Sequence, residues 1–388
     1  MLKISSVLNI LQLICQRSCA VMNDLIGVMR ERRVSVALLQ ELCVSKERMS
    51  GLPSSWRAYV CGHVPAKAAV VVCEESVEAV CVNECTDEYG VCVWMDGDFG
   101  ELFVVSMNCR YGNDIEPYLA YMERVCECVK GKRVIFGMDA NAASPLWFSK
   151  DGGRSRENEM RGRILEEWVI ANGMIVLNEP SESYTFSGMR GESDVDVPLM
   201  NGNMAGCLFK WRVMNDWCIS DHNAILIQMM YDGMREMRVL NVSKRWMCKN
   251  VSWEEYELEL GEIARTRGMS VFCETNVERM VERVTDWIQE VNEEYMKDRV
   301  RQSERKMCWW TRELSALKSQ VQKCRRVWQR ARKECRADVQ ERMVEYKRSL
   351  NEYKYRLGKV KEESWIEFVS KYSNLDPWGV VYRVCRGR

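Results

Sequence analysis

Val134-Ile135-Phe136-Gly137-Met138-Asp139-Ala140-Asn141 is a short apolar run that ends in an acid and an amide. A run of this length reads as a buried strand. A carboxylate at the end of such a strand points into the crevice above the sheet, where ligands bind. Asp139 and Asn141 flank one small residue, so both side chains can face that crevice. The arrangement recurs at distant points of the chain. Val36-Ala37-Leu38-Leu39-Gln40 leads into Glu41, Asp194 and Asp196 alternate with Val195 and Val197, and Cys218-Ile219-Ser220 leads into Asp221-His222. Singly, each has a structural reading: an Asp at a strand end forms turns, Asn141 can cap the next helix or turn, and a lone His is more often structural than catalytic. Together they are clusters that can converge on one site.

Around these points the first 230 residues alternate between short strands and helices. Apolar runs predict strands near 7–15, 34–40, 68–73, 78–83, 91–95, 102–107, 133–138, 193–199 and 223–230. One-sided helical patterns run from Ile115 to Val129 and from Arg161 to Asn172, where Asn172-Gly173 is a stop. Many strands with few helices predict an α+β class: a four-layer α/β/β/α sandwich, two sheets packed together with helices outside, then a mostly helical C-terminal extension.

The 388 residues have room for two or three domains. We expect residues 1–231 to form the sandwich, 232–310 a helical linker with an amphipathic stretch from Val277 to Tyr295, and 311–388 a basic helical region. Over 311–369 apolar residues recur at steps of 3 or 4, which fits one continuous helix or an antiparallel hairpin. The formal net charge is zero, yet residues 299–363 carry 20 Lys and Arg against 9 Asp and Glu, so the body before them is acidic. Arg325, Arg326, Arg330, Arg332, Lys333 and Arg336 lie along one helical stretch, either as nucleic-acid phosphate contacts or as a solvated face. No window approaches the roughly 18 consecutive apolar residues of a membrane span. The opening MLKISSVLNILQLICQRSCA mimics a signal peptide, but Asn9 and Gln12 interrupt it and a buried strand explains it as well. The 19 cysteines sit mostly inside apolar alternation and read as small hydrophobes of a reduced protein that is not secreted.

Oxygen ligands with one imidazole and no thiolate suit a hard cation, Mg²⁺ or Mn²⁺. The absence of a CxxC pair, with only His63 and His222 as histidines, argues against zinc. A hard cation, a carboxylate base and a His are the parts that move water onto a phosphate ester. A glycine-rich phosphate loop and a GxSxG nucleophile elbow are both absent, which sets aside nucleotide-driven and serine-hydrolase chemistry.

Gln40-Glu41, GMDANAASPLW (137–147), NGMIVLNEPSESYTF (172–186), SDVDV (193–197) and SDH (220–222) together resemble, in order and spacing, the endonuclease domain of non-LTR retrotransposons, part of the exonuclease/endonuclease/phosphatase superfamily. The resemblance covers about residues 7–230 and favours elements that insert at fixed genomic sites. WWTRELSALKSQV (309–321) and WIEFVSKYSNLDPWGVVYRV (365–384) resemble the connector that precedes the reverse transcriptase in such elements. No YxDD motif appears, as expected of a truncated copy, an incomplete gene model or a domesticated fragment. The resemblance implies a Mg²⁺- or Mn²⁺-dependent nuclear endonuclease that nicks one strand of double-stranded DNA to prime reverse transcription. It allows element RNA as a second partner and involves no membrane. Glu41 would bind the metal, Asp139 orient or deprotonate the water, and Asn141 hold the scissile phosphate. Asp196 would orient His222, Asp221 would assist at the metal or water, and His222 would stabilise the transition state.

Three positions depart from the pattern. Ile14 stands where the family has Asn in QxN, and Asn108 where it has Tyr in SxY, with Tyr111 three residues on. Pro198 replaces a Thr and suits only an edge or strand end. Losing a phosphate-side donor costs about 10²–10³ in rate, so weak or absent activity is expected. Two other readings stay open: a catalytically inactive nucleic-acid-binding remnant, and a phosphoesterase of the same superfamily, against which the connector motifs count.

Overall fold

The computed structural model describes residues 6–45, 48–49, 52–53, 55–61, 67–149, 156–189, 191–231, 246–247, 251–272, 277–298 and 309–373. The basic stretch 299–308 and the connector-like stretch 374–384 lie outside them. The chain divides into two compact units, residues 1–236 with 306–388, and residues 237–305.

The first unit is built on two six-stranded sheets. Its elements are β1 (Ser6–Ile14), α1 (Cys19–Glu31), β2 (Val36–Gln40), β3 (Arg57–Val60), β4 (Ala68–Val72), β5 (Glu78–Cys81), β6 (Gly90–Asp96), β7 (Leu102–Asn108) and α2 (Glu116–Cys128). They continue as β8 (Val134–Asp139), α3 (Arg156–Ala171), β9 (Met174–Val176), β10 (Phe186–Gly188), β11 (Gly191–Ser193), β12 (Asp196–Asn201), β13 (Leu208–Met214) and β14 (Ala224–Tyr231). One sheet has the order β13-β14-β1-β2-β4-β3, the other β9-β12-β8-β7-β6-β5, and β10 pairs with β11 in a separate ladder. Strands β2 and β4 are apolar on both faces and wholly buried, as strands covered from both sides must be. Helix α1, capped by Ser18, buries Val21, Met22, Leu25 and Met29 in the core of the first sheet; α2 and α3 bury Tyr118, Met122, Leu165 and Trp168 in that of the second. The four-layer α/β/β/α sandwich expected from the strand pattern is the fold observed.

The two sheets meet closely. A side chain at Gly137 would place its Cβ 2.6 Å from Leu38 Cδ1, so any larger residue would have to push that side chain aside. Amides bridge the same gap: Gln12 Nε2 donates to the Met138 carbonyl at 2.9 Å, and Gln40 Nε2 to Ser106 Oγ at 2.8 Å and the Gly137 carbonyl at 3.1 Å. Ser106 Oγ donates onward to the Leu39 carbonyl at 2.9 Å.

Some elements differ from expectation. Strands β3, β9, β10, β11 and β13 and helix α1 have no counterpart among the expected elements, and the strand expected at 193–199 is β12, beginning at Asp196. Pro198 lies inside β12, opposite Gly137 of β8 and one residue beyond the β9 ladder, so on that side it stands at a ladder end. It is tolerated because the β9 ladder ends at Val176–Leu199, and only the Pro198 carbonyl is used beyond it, accepting from Leu177 N at 3.0 Å. Cys19 and Cys43 are joined by a disulfide, against the expectation of free thiols throughout.

The basic region is a hairpin of α6 (Arg312–Lys333) and α7 (Val339–Ser373), the two separated by α4 (Trp253–Phe272) and α5 (Val277–Tyr295) from the sandwich in sequence. Thr311 caps α6 by accepting from Leu314 N, and Cys335 takes a left-handed φ of 49° at the turn. The stripe Leu314, Val321, Cys324, Trp328, Tyr346, Tyr353, Leu357 and Val360 is buried in the same apolar cluster as α1 and the first sheet. In the second unit, α4 and α5 are tied by Tyr256 Oη to Asn292 at 3.0 Å and Arg267 to Glu290 at 2.7 Å.

Two glycines should respond in opposite directions. A Cβ at Gly162 of α3 would lie 1.9 Å from the Ala143 carbonyl oxygen, and backbone cannot give way as a side-chain tip can. Gly162→Ala should destabilise by about 1–3 kcal/mol in thermal denaturation. Gly358 of α7 has open space at that position, so Gly358→Ala should stabilise by about 1 kcal/mol.

Candidate active site

The site forms where strands of both sheets end on the same side. Asp139 closes β8 and pairs in register with Asp196 of β12 on one side and Asn108 of β7 on the other. Glu41 follows β2 in a left-handed conformation, φ 48°, and Asn141 takes φ 45°. Left-handed backbone is uncommon for such residues and concentrates at functional turns.

His222 is supplied by the turn ahead of β14. Its Nδ1 lies 2.9 Å from Asp196 Oδ2 and 3.2 Å from Oδ1. The Phe186 ring packs on the imidazole at 4.9 Å between centroids, and Phe186 bridges His222 through the backbone. Burial opposes the charged imidazole, but Asp196, with Asp139 and Glu41 behind it, prevails and raises His222 to about 9. Burial also pushes Asp139 up to about 7, against the pull of His222 and with the push of Asp196 and Glu41. Glu41, Asp139, Asp196 and His222 thus share one field. Asn141 closes the turn: its backbone N donates to Asp139 Oδ1 at 3.3 Å and its Nδ2 to the Cys109 carbonyl at 3.1 Å.

The Asp221 carboxylate acts on Tyr346 of α7 and lies where a Cβ on Gly188 would come 3.0 Å from Oδ2. No three His, Cys, Asp or Glu side chains among the described residues are grouped to hold a metal by themselves. The donor set still suits a hard cation, which takes one or two carboxylates and completes its shell with water and phosphate. Glu41 is such a carboxylate, and the buried Asn108 Oδ1 beside Asp139 has no hydrogen-bond partner. The neighbouring thiols do not compete as soft ligands. Burial, helped by Cys218 and Glu41, holds Cys15 protonated, and burial pushes Cys109 up to about 12.

The basic residues divide. Arg325 is buried, 1% exposed, and donates to the carbonyls of Cys218 and Asp221; it cannot reach a phosphate, which corrects its assignment as a nucleic-acid contact. Arg326 is exposed 3.9 Å from Asp216, and Arg336 pairs with Asp338 at 3.0 Å. Arg330 and Lys333 are exposed, and Arg332 donates to the Gly188 carbonyl at 2.9 Å. Arg332 and Lys333 both act on Tyr184, two residues from the Phe186 that packs on His222.

Several supporting residues do not stand out in the sequence. Thr185 Oγ1 accepts from Val195 N and Asp196 N at 3.1 and 3.2 Å, and Asn178 Nδ2 donates to the Asp196 carbonyl at 3.1 Å. Both lie inside the 172–186 motif, whose presence is the one signal pointing to them. Arg161 of α3, 3% exposed, donates to the Ala140 carbonyl at 3.2 Å, the Asn141 carbonyl at 3.1 Å and the Asn113 carbonyl. Nothing in a helical repeat marks such a residue.

Residues 102–226 match the family described as endonuclease-reverse transcriptase. The chain is 38% identical over 344 residues to the retrovirus-related Pol polyprotein from the type-1 retrotransposable element R1 of Bradysia coprophila, covering 87% of this chain and 34% of that protein. It is 31% identical over 388 residues to a putative 115 kDa protein in the type-1 retrotransposable element R1DM of Drosophila melanogaster, covering 98% of this chain and 37% of that one. The chain therefore spans about a third of the length of these curated relatives. Among solved structures, the endonuclease domain of TRAS1, a telomere-specific non-LTR retrotransposon, superposes with a TM-score of 0.52 at 29% identity, covering 58% of this chain and 98% of that domain.

The raised His222 and Asp139 set a pH signature. Both bind protons more tightly folded than unfolded, so stability is greatest below the ordinary values and declines as pH rises towards the folded ones. For His222 the decline spans about 6.5 to about 9. In EDTA, denaturant midpoints should fall across that range, and His222→Gln should flatten the slope.

Proposed function

The chain carries an endonuclease domain of the non-LTR retrotransposon type, and we propose that it nicks one strand of double-stranded DNA in a divalent-metal-dependent reaction. The observation that carries this reading is the shared field of Asp139 and His222. A carboxylate near 7 is matched to accepting a proton at neutral pH, and an imidazole near 9 stays positive there. Opposite roles for two groups in one crevice are what water attack on a phosphodiester requires.

In this reading Glu41 holds Mg²⁺ or Mn²⁺, which when bound supplies charge neutralisation at the phosphate. Asp139 orients the water and takes its proton. Asn141 steadies the scissile phosphate. Asp196 engages Nδ1 of His222 through both oxygens, leaving Nε2 to face the charge that develops on the phosphate. Asp221 would assist at the metal or water, and its carbonyl accepts from Ser187 N at 2.8 Å, which fixes the turn that carries His222. Arg330, Arg332 and Lys333 at the end of α6 and Arg336 in the turn after it would meet flanking phosphates of DNA, or of element RNA, in the nucleus.

A second reading, a nucleic-acid-binding remnant without catalysis, is favoured by Ile14 and Asn108. Asn108 is buried next to Asp139, and Ile14 offers the site only its carbonyl, which accepts from Ser220 Oγ at 2.7 Å.

Nicking of supercoiled plasmid with Mg²⁺ tests the first reading. His222→Ala and Asp139→Asn should each reduce the rate by about 10²–10³; equal rates for wild type and variants would remove the catalytic claim. Ile14→Asn combined with Asn108→Tyr should raise the rate if those positions limit it, and leave it unchanged under the second reading. Arg330→Ala with Lys333→Ala should weaken binding uniformly across DNA sequences and lower the salt slope by about 1 for each phosphate no longer neutralised, measured by fluorescence anisotropy.

A further inference from the structure

Arg161 and Arg325 stand in matching positions. Each is a buried arginine on a helix outside the sheets, and each donates to main-chain carbonyls of a turn that bears site residues. Arg161 belongs to the sandwich and holds the turn of Asp139 and Asn141. Arg325 belongs to the hairpin and holds the turn of His222, with Nη1 3.3 Å from the Cys218 carbonyl and Nη2 3.3 Å from the Asp221 carbonyl.

The attachment around Arg325 is continuous. Lys318 pairs with the buried Asp24 of α1, Gln322 Nε2 donates to the Asp216 carbonyl at 2.7 Å, and Arg332 reaches the Gly188 carbonyl at 2.9 Å. One face of α6 therefore touches the 216–221 turn at both ends and the β10 strand behind it. The Asp221 carbonyl is shared between Arg325 and Ser187 N, so the guanidinium and β10 grip the same peptide from two sides. Beneath them Val321, Cys324 and Trp328 pack with Trp217, Cys218 and Ile219 in one apolar cluster. A guanidinium suits this task, because its planar fork reaches two carbonyls at once and stays charged when buried.

We propose that the hairpin is a working part of the endonuclease centre and that Arg325 is a positioning residue, setting the His222 turn from outside the sandwich. The proposal rests on the nuclease reading for its kinetic consequence, but its geometric part stands without it. Displacing a catalytic group by about 1 Å can reduce a rate about 10²-fold while binding is kept. The hairpin thereby links whatever is attached to it with the rate of nicking.

The test uses the full chain labelled with ¹⁵N-histidine. Only two histidines contribute signals, and His63→Gln assigns them. Arg325→Met should shift the His222 ring resonances, leave those of His63 in place, and lower kcat for plasmid nicking by at least about tenfold with KM within about twofold. Arg325→Lys, which keeps the charge but has no fork, should lie between, and it replaces the Met variant if that fails to fold. Tyr355→Phe, on the exposed surface of α7, should match wild type. Unchanged His222 resonances and kcat in a folded Arg325 variant would overturn the proposal. Should wild type not cut DNA at all, the nuclease reading falls while the His222 resonances still decide whether Arg325 sets the turn.

Discussion

The rest of the structure depends on a polar seam buried between two sheets. Gln12, Gln40 and Ser106 sit in an otherwise apolar interior and bond across it, at the level where Gly137 lets the sheets approach. Apolar packing alone is non-directional and would let the sheets slide over each other. Directional bonds in a low-dielectric interior fix one offset, because any slip would leave the two amide nitrogens and the Ser106 hydroxyl unpaired at about 1–3 kcal/mol each, beside Gln12 and Gln40 side-chain oxygens that already lack partners. The seam lies one or two residues below the strand ends. Its offset therefore sets how Glu41 and His222 of one sheet meet Asp139 and Asp196 of the other.

At those ends burial and charge act against each other. Burial pushes Asp139 up towards neutrality against the pull of His222, with Asp196 and Glu41 adding to the push. The same crowding of negative charge holds His222 protonated although it is buried. Burial alone would lower His222, so its direction comes from the neighbouring carboxylates. The pair is a product of the convergence, which is why no single motif could announce it.

Much of this is legible in the sequence and some is not. Period-2 alternation and unbroken apolar runs locate most long strands, because burial on both faces leaves no polar residue to confuse the reading. The polar residues ending those runs locate Glu41, Asp139, Asp196 and His222. Helix α1 escapes although Ser18 and the spacing of Val21, Met22, Leu25 and Met29 announce it. Strand β13 escapes because Lys210 and Arg212 break up a short apolar run. Arg325 groups with its basic neighbours because helical periodicity gives the apolar stripe but not which cation lies beside it under another element.

The hairpin changes how the site is bounded. Within the sandwich alone, the His222 turn is held by β10 and by Gln16 Oε1, which accepts from Asp221 N at 3.1 Å. With α6 in place, the turn is enclosed on a further side by a buried guanidinium. What decides the proposed nuclease reading is whether the strand ends meet around one phosphate. The most direct measurement is a crystal structure of the full chain soaked with Mn²⁺ and a short DNA duplex. The account predicts anomalous density at Glu41 and a phosphodiester lying between Asn141 and His222, with a water beside Asp139. An ion bound away from Glu41, or DNA seated with no phosphate near His222, would contradict it.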